Sequence, residues 1–305
     1  MSFKEEVYYY YDAVPKDNQY HCMWNENFQR IEQVNLYRHE TSSKHIADRA
    51  KKIMKYNDVE YIQDQCFFFI SDFDYNFFHA LNDLVGLFHY FKSVRRRHNK
   101  RVKLVIRESS NFVYDYLKCL DIDDKKIIKI KGNQLYKFKS VYCLEGSGVV
   151  KRLFKYMIET NALLRTPSQV QTYEKIFLYR TNNKRINQNL NSLVKIALKH
   201  GFYVYSPELD TFDNQLRIMQ NCKYLFCELG AGCANFYFTQ DDCEIIIIDF
   251  LDYWCNRFIR QNDNFFTRRI HRLEGRLIEG TEHDCTWTFD ELKLDDELAV
   301  ILGEN

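Results

Sequence analysis

Lys223-Tyr224-Leu225-Phe226-Cys227 runs directly into Glu228-Leu229-Gly230-Ala231-Gly232-Cys233-Ala234-Asn235. A short apolar run followed by small residues suits a buried strand that turns at once into a helix. Glycines there let a backbone approach a ligand closely, and the amides of a helix start favour phosphate. The same turn also serves plain packing, so alone it does not choose between the two.

The pattern repeats on both sides of that stretch. Strand Lys175–Tyr179, helix Leu190–His200, strand Phe202–Tyr205 and helix Phe212–Gln220 precede it. A helix after Gly232 and strand Glu244–Asp249 follow. Further upstream come strand Cys66–Ile70, helix Phe77–Phe91, strand Val102–Ile106 and helix Phe112–Leu120. Strands Ile127–Ile130 and Val141–Leu144 and helix Val149–Leu164 complete that series. Alternation of this kind means βα units and mostly parallel sheets. The expected fold is α/β, with two Rossmann-like domains facing each other across a cleft. Pro167 and the capping-box spacing of Ser168-Gln169-Val170-Gln171 place the boundary. The expected division is 1–165, 166–280 and a C-terminal helix in 281–305, started by Thr288-Phe289-Asp290-Glu291. Residues 1–60 are polar and hard to read, with Tyr8–Tyr11 a candidate edge strand.

Three further groups carry possible chemistry. Tyr179-Arg180-Thr181-Asn182-Asn183-Lys184-Arg185-Ile186-Asn187 follows a strand, and ligands of open α/β sheets bind beyond strand carboxyl ends. Two Arg residues in such a loop can grip a diphosphate. Glu208 follows the next strand and can accept from sugar or ribose hydroxyls. Gln215, on the helix after it, is either a ligand contact or a structural hydrogen bonder. In the first half, His79 and Asp83 are four apart on one helix face and can meet. They form either a general-base unit or a solvated polar face.

Composition narrows the classes. The net charge is +1, with Lys+Arg 43 against Asp+Glu 42, which gives no global pull toward nucleic acid or anionic membrane. The basic run Arg95–Arg101 suits a helix C-terminus. Aromatics at 16% are compatible with carbohydrate contacts and equally with an AT-rich coding genome. The 10 Cys show no zinc spacing, and Cys222, Cys227 and Cys233 read as free buried thiols. The start Met1-Ser2-Phe3-Lys4-Glu5-Glu6 has no apolar signal-peptide core, and no apolar run approaches a span of about 20 residues. A cytoplasmic location is the expectation, with no membrane span and no nucleic-acid partner.

Taken together, the ordered pieces resemble glycosyltransferase family 61. His79 and Asp83 match its first-half helix. Arg180, Arg185 and Asn187 match its Arg loop. Gly201-Phe202 and Pro207-Glu208, then Phe212 and Gln215, match its next two blocks. Gly230, Ala231, Gly232 and Asn235 match its glycine turn. Where the family pattern has His before Gly-Ala-Gly, this chain has Leu229. The resemblance implies a GT-B architecture, a UDP-sugar donor (xylose or N-acetylglucosamine), a glycan acceptor and inversion at the anomeric carbon. It implies Asp83 and His79 as the catalytic pair. Donor binding falls to Arg180, Arg185, Asn187, Glu208, Gln215, Glu228, Gly230, Ala231, Gly232 and Asn235. No cofactor and no essential metal are expected, as in a soluble viral or bacterial relative. Two alternatives stay open: a metal-dependent enzyme using Asp72-Phe73-Asp74, and an inactive nucleotide- or glycan-binding protein.

Overall fold

The structure is a computed structural model that describes residues 2–11, 21–24, 43–55, 58–70, 77, 80–81, 87–98, 101–108, 111–143, 173–181, 184–251, 269–281 and 284–304. The chain divides into two compact units, Met1–Asn161 and Ala162–Asn305. Each is a mixed α/β body with parallel strand pairs.

In the first unit, β1 (Ser2–Tyr11), β2 (His21–Trp24), β3 (Val59–Phe68), β4 (Lys103–Arg107), β5 (Ile127–Ile130) and β6 (Leu135–Cys143) make one sheet. Its order is β2-β1-β6-β3-β4-β5, with helix α1 (Ser43–Lys55) between β2 and β3 along the chain. β6, β3, β4 and β5 run parallel, while β1 is antiparallel to both of its neighbours. Side chains alternate across the sheet plane. Phe67, Phe69, Leu104 and Ile106 therefore join one buried cluster, with Phe88 and Phe91 of α2 (Leu87–Arg97) and Val113 and Leu117 of α3 (Asn111–Cys119). Cys66, Phe68, Ile70 and Val105 join the cluster on the other face, with Val7, Tyr9 and Phe138. Burying each large side chain contributes about 1.5–3 kcal/mol, which is why the aromatic-rich run at Cys66–Ile70 reads as a two-sided strand.

The candidate edge strand Tyr8–Tyr11 is not at an edge. It is the end of β1, which lies between β2 and β6, because Val7 and Tyr9 have a core face to fill. The expected helix Val149–Leu164 and the boundary motif at 167–171 lie outside the described residues.

In the second unit, β7 (Lys175–Leu178), β9 (Tyr203–Tyr205), β10 (Tyr224–Glu228), β11 (Glu244–Asp249) and β12 (Ile270–Glu274) form an all-parallel sheet in the order β12-β11-β10-β7-β9. β10 is its central strand with β11 beside it, and residues 225–227 and 245–248 of the two are buried. Two helices connect these strands. They are α4 (Leu190–Lys199), which buries Leu193 and Ala197, and α5 (Phe212–Met219), which buries Phe212, Leu216 and Met219. Thr211 caps α5 by accepting from the Asn214 amide.

A second, smaller sheet has no counterpart in the sequence reading. β13 (Arg276–Gly280), β14 (Cys285–Thr288) and β8 (Arg185–Asn187) pair in the order β13-β14-β8. Its anchor is Trp287, which stacks on Phe250 at 4.6 Å just beyond β11. The last helix, α6 (Glu291–Leu302), is capped by Asp290 rather than Thr288: the Asp290 carboxylate accepts from the Lys293 amide at 3.1 Å. Gly303 ends it in the left-handed conformation that glycine tolerates best (φ 67°).

That turn sets Glu304 beside Lys175 and His200. The His200 ring bridges Glu304 at 2.5 Å and Asp295 at 2.7 Å, while Lys175 and Lys199 pair with the same two carboxylates. Asp295 is held below its ordinary pKa chiefly by Lys199 and then His200, and Glu304 by Lys175 and then His200. Carboxyls held low stabilise the fold above the ordinary carboxylate value of about 4, and that contribution disappears as pH falls through their lowered values. The thermal midpoint of the wild type is expected to drop more steeply between about pH 4 and pH 2 than that of an Asp295→Asn, Glu304→Gln double variant. Parallel curves would refute the role of this cluster.

Candidate functional site

The strand order fixes where a site can form. The chain leaves β7, reaches β9 on one side, and returns to β10 on the other. Neighbouring loops therefore leave β7 and β10 in opposite directions, which opens a crevice at their carboxyl ends. Leu178 pairs with Cys227, so Tyr179–Arg180 and Glu228–Gly230 leave the sheet side by side.

At that point the Arg180 guanidinium lies against the backbone of Gly230. A Cβ at position 230 would sit 2.8 Å from both Cζ and Nη1 of Arg180. Only glycine admits this contact. The Nη1 atom is shut off from solvent and has no hydrogen-bond partner among the described residues. A buried, unpaired donor is costly, and such a group is commonly kept for a ligand. Gly232 differs, since a Cβ there would meet nothing within 4 Å. The helix expected after Gly232 is a 3₁₀ helix, Ala231–Phe238. Its first turn closes with the Cys233 amide donating to the Gly230 carbonyl, which leaves the Ala231 and Gly232 amides without intrahelical partners.

Arg185 and Asn187 sit on strand β8, not in a loop. Pairing with Cys285 and Trp287 of β14 fixes their direction. Arg185 donates from Nη1 to the Leu229 carbonyl at 3.0 Å and so braces the turn. Asn187 donates from Nδ2 to the Glu228 carboxyl at 3.2 Å and accepts the Asn189 amide. Glu228 is only 5% exposed. Burial pushes its carboxyl up to about 7, against the opposing pull of Asn187 and of the Arg180 charge and amide.

Glu208 accepts from both the amide and the hydroxyl of Thr181, and thereby ties the turn after β9 to the Arg180 segment. Gln215 donates to the Pro207 carbonyl at 2.8 Å and the Asp210 carbonyl at 3.4 Å, the structural alternative of the sequence reading. Asn235 is fully buried. It donates to the Gly232 carbonyl at 3.0 Å, and its Oδ1 has no partner among the described residues. Leu229 is buried. The structure thus gathers Arg180, Arg185, Asn187, Glu228 and Gly230 at one strand end, with Glu208 joined through Thr181. Ala231, Gly232 and Asn235 follow on the turn, and Gln215 works one step back. His79 and Asp83 lie outside the described residues, as do Asp72 and Asp74.

Cys227, Cys233 and Cys222 are buried free thiols, as the sequence suggested. No helix among the described residues is long and apolar enough to cross a membrane.

A parallel sheet with its polar cluster at the switch point belongs to the open α/β class, whose ligands enter at strand carboxyl ends. The family model described as Glycosyltransferase 61 matches residues 77–246, more than half of the chain. The chain belongs to that family, and its class of activity is glycosyl transfer. Among curated proteins, no sequence matches the chain.

The two glycines should separate on substitution. Gly230→Ala collides with the far end of a flexible side chain, so the fold is expected to survive while Arg180 is displaced. UDP affinity should fall at least about tenfold, roughly 1.4 kcal/mol, by calorimetry. Gly232→Ala should leave the melting temperature unchanged. Equal UDP affinity in wild type and Gly230→Ala would show that the Arg180 contact has no part in binding.

Proposed function

We propose that this protein is an inverting, metal-independent glycosyltransferase of GT-B type. It moves a sugar from a UDP-sugar to a glycan hydroxyl, with xylose the first choice of sugar and N-acetylglucosamine the second. The carrying observation is the buried Nη1 of Arg180, which has no hydrogen-bond partner among the described residues, beside Gly230 at the β7/β10 switch point. A diphosphate seated there satisfies that donor. Family membership supports the nucleotide-sugar donor and the glycan acceptor.

In this reading Arg180 and the amides of Ala231 and Gly232 hold the diphosphate as negative charge develops on it. A well-placed donor of this type lowers a barrier by about 3 kcal/mol. That stabilisation removes the requirement for a divalent cation. Arg185 and Asn187 keep the turn and Glu228 in place. Asp83, with His79 orienting it or acting in its place, takes the proton from the acceptor hydroxyl. The hydroxyl oxygen attacks the anomeric carbon from the face opposite the diphosphate, and the configuration inverts, as in inverting glycosidases. The acceptor is held by residues of the first unit.

Arg180→Ala should lose UDP binding by about a hundredfold or more in calorimetry, and Arg185→Ala should weaken binding and lower the melting temperature together. Normal affinity in both would remove the phosphate clamp. Asp83→Asn should bind UDP normally but show no transfer under EDTA conditions in which the wild type turns over. Wild-type turnover by Asp83→Asn would rule it out as the base, and EDTA-sensitive wild-type turnover would favour the Asp72–Asp74 alternative.

A further inference from the structure

Glu228 is a titratable group that the phosphate clamp does not itself require. It ends β10 in the middle of the cluster, 5% exposed, with Oε1 bound to Asn187 Nδ2 and the Arg180 amide also donating to its carboxyl. Its charged surroundings come from several elements. Arg180, after β7, favours the ionised form, and Glu208, after β9, opposes it. Arg185, on β8, is directed to the Leu229 carbonyl. From the 3₁₀ turn, Cys233 donates its thiol to the Glu228 carbonyl. On the neighbouring β11, Asp249 is paired with Arg272 at 3.0 Å. On β14, Cys285 senses both arginines.

We propose that Glu228 is a proton-coupled positioning residue of the nucleotide site, taking up one proton from solvent when the donor diphosphate binds Arg180 and releasing it when the nucleoside diphosphate leaves. This rests on the nucleotide-diphosphate reading of the site. The argument is electrostatic. Arg180 is the cation that helps keep Glu228 ionised in the free protein. A bound diphosphate neutralises that cation and adds negative charge to the same water-poor cluster. The carboxylate then becomes the unfavourable form. The protonated carboxyl still accepts from Asn187 through its carbonyl oxygen, and it gains an O–H donor that the ionised form lacks. Burial places the free carboxyl at about 7, so the coupling falls within the ordinary working range of pH. The sign follows: donor affinity is highest at low pH and falls as pH rises through that value.

The test is calorimetric binding of UDP-xylose, a diphosphate diester with no proton to lose between about pH 5.5 and pH 8.5. In two buffers of different ionisation enthalpy at about pH 8, the wild-type heats should differ by the equivalent of roughly one proton taken up per ligand. Affinity should fall up to about tenfold per pH unit above pH 7. Glu228→Gln keeps the acceptor for Asn187 and mimics the protonated form. It should bind with equal heats in both buffers and with affinity independent of pH. A merely structural Glu228 would shift the melting temperature on substitution but leave proton uptake at zero in the wild type. Equal wild-type heats in the two buffers, or a wild-type pH slope retained in Glu228→Gln, overturn the proposal. Should Glu228→Gln not fold, the two-buffer measurement on the wild type decides alone. Failure of UDP-xylose to bind at any pH, with UDP failing too, overturns the nucleotide reading and this inference with it.

Discussion

The constraint on which the second unit depends is the reversal of strand order about β7. Because β9 and β10 lie on opposite sides of β7, no crossover covers the carboxyl ends of β7 and β10. Two of the buried polar side chains of the unit, Glu228 and Asn235, lie at or just beyond that opening. Arg180 and Glu228 leave the sheet there as neighbours, and Gly230 has no side chain because the guanidinium occupies the space a Cβ would take. The small sheet then adds Arg185 and Asn187 from a third direction.

Placing a carboxyl and a guanidinium in such a site opposes stability. Desolvating each is expensive, and their mutual attraction does not fully offset it. The chain limits the cost in two ways. Glu228 is given neutral and backbone donors, from Asn187 and the Arg180 amide, in place of a close bidentate ion pair. The surrounding frame is over-determined, with four consecutive isoleucines of β11 fully buried and Trp287 stacked on Phe250. A rigid apolar frame around an unsatisfied polar centre is a common compromise of functional sites.

Much of this was legible in the sequence, for identifiable reasons. Continuous apolar runs such as Glu244–Asp249 and Lys175–Tyr179 declare buried parallel strands, and the glycine turn after Cys227 marks a strand end. The small sheet was not legible, because its strands have three to five residues and β8 pairs with a segment far along the chain. Arg185 and Asn187 therefore read as loop residues. The burial of Glu228 was equally hidden. A carboxylate at a strand end has the same sequence appearance whether it meets water or sits under Asn187 and Arg180. The helix after the glycine turn was legible, while its 3₁₀ form was not, because a short segment of buried aromatics has no amphipathic period to read. The capping of α6 by Asp290 rather than Thr288 was a choice between two good cap residues two positions apart.

The parallel pairing of β8 with β14 also orders events in time. Arg185 and Cys285 are partners although one hundred residues separate them. The five-stranded sheet can collapse as soon as β12 is made, but Arg185 and Asn187 have no register until residues 285–288 have left the ribosome. Distant pairing of this kind is slow, because loop closure must precede any reward from contact. A nascent chain would thus carry a finished sheet before Arg185 and Asn187 take their places against Leu229 and Glu228.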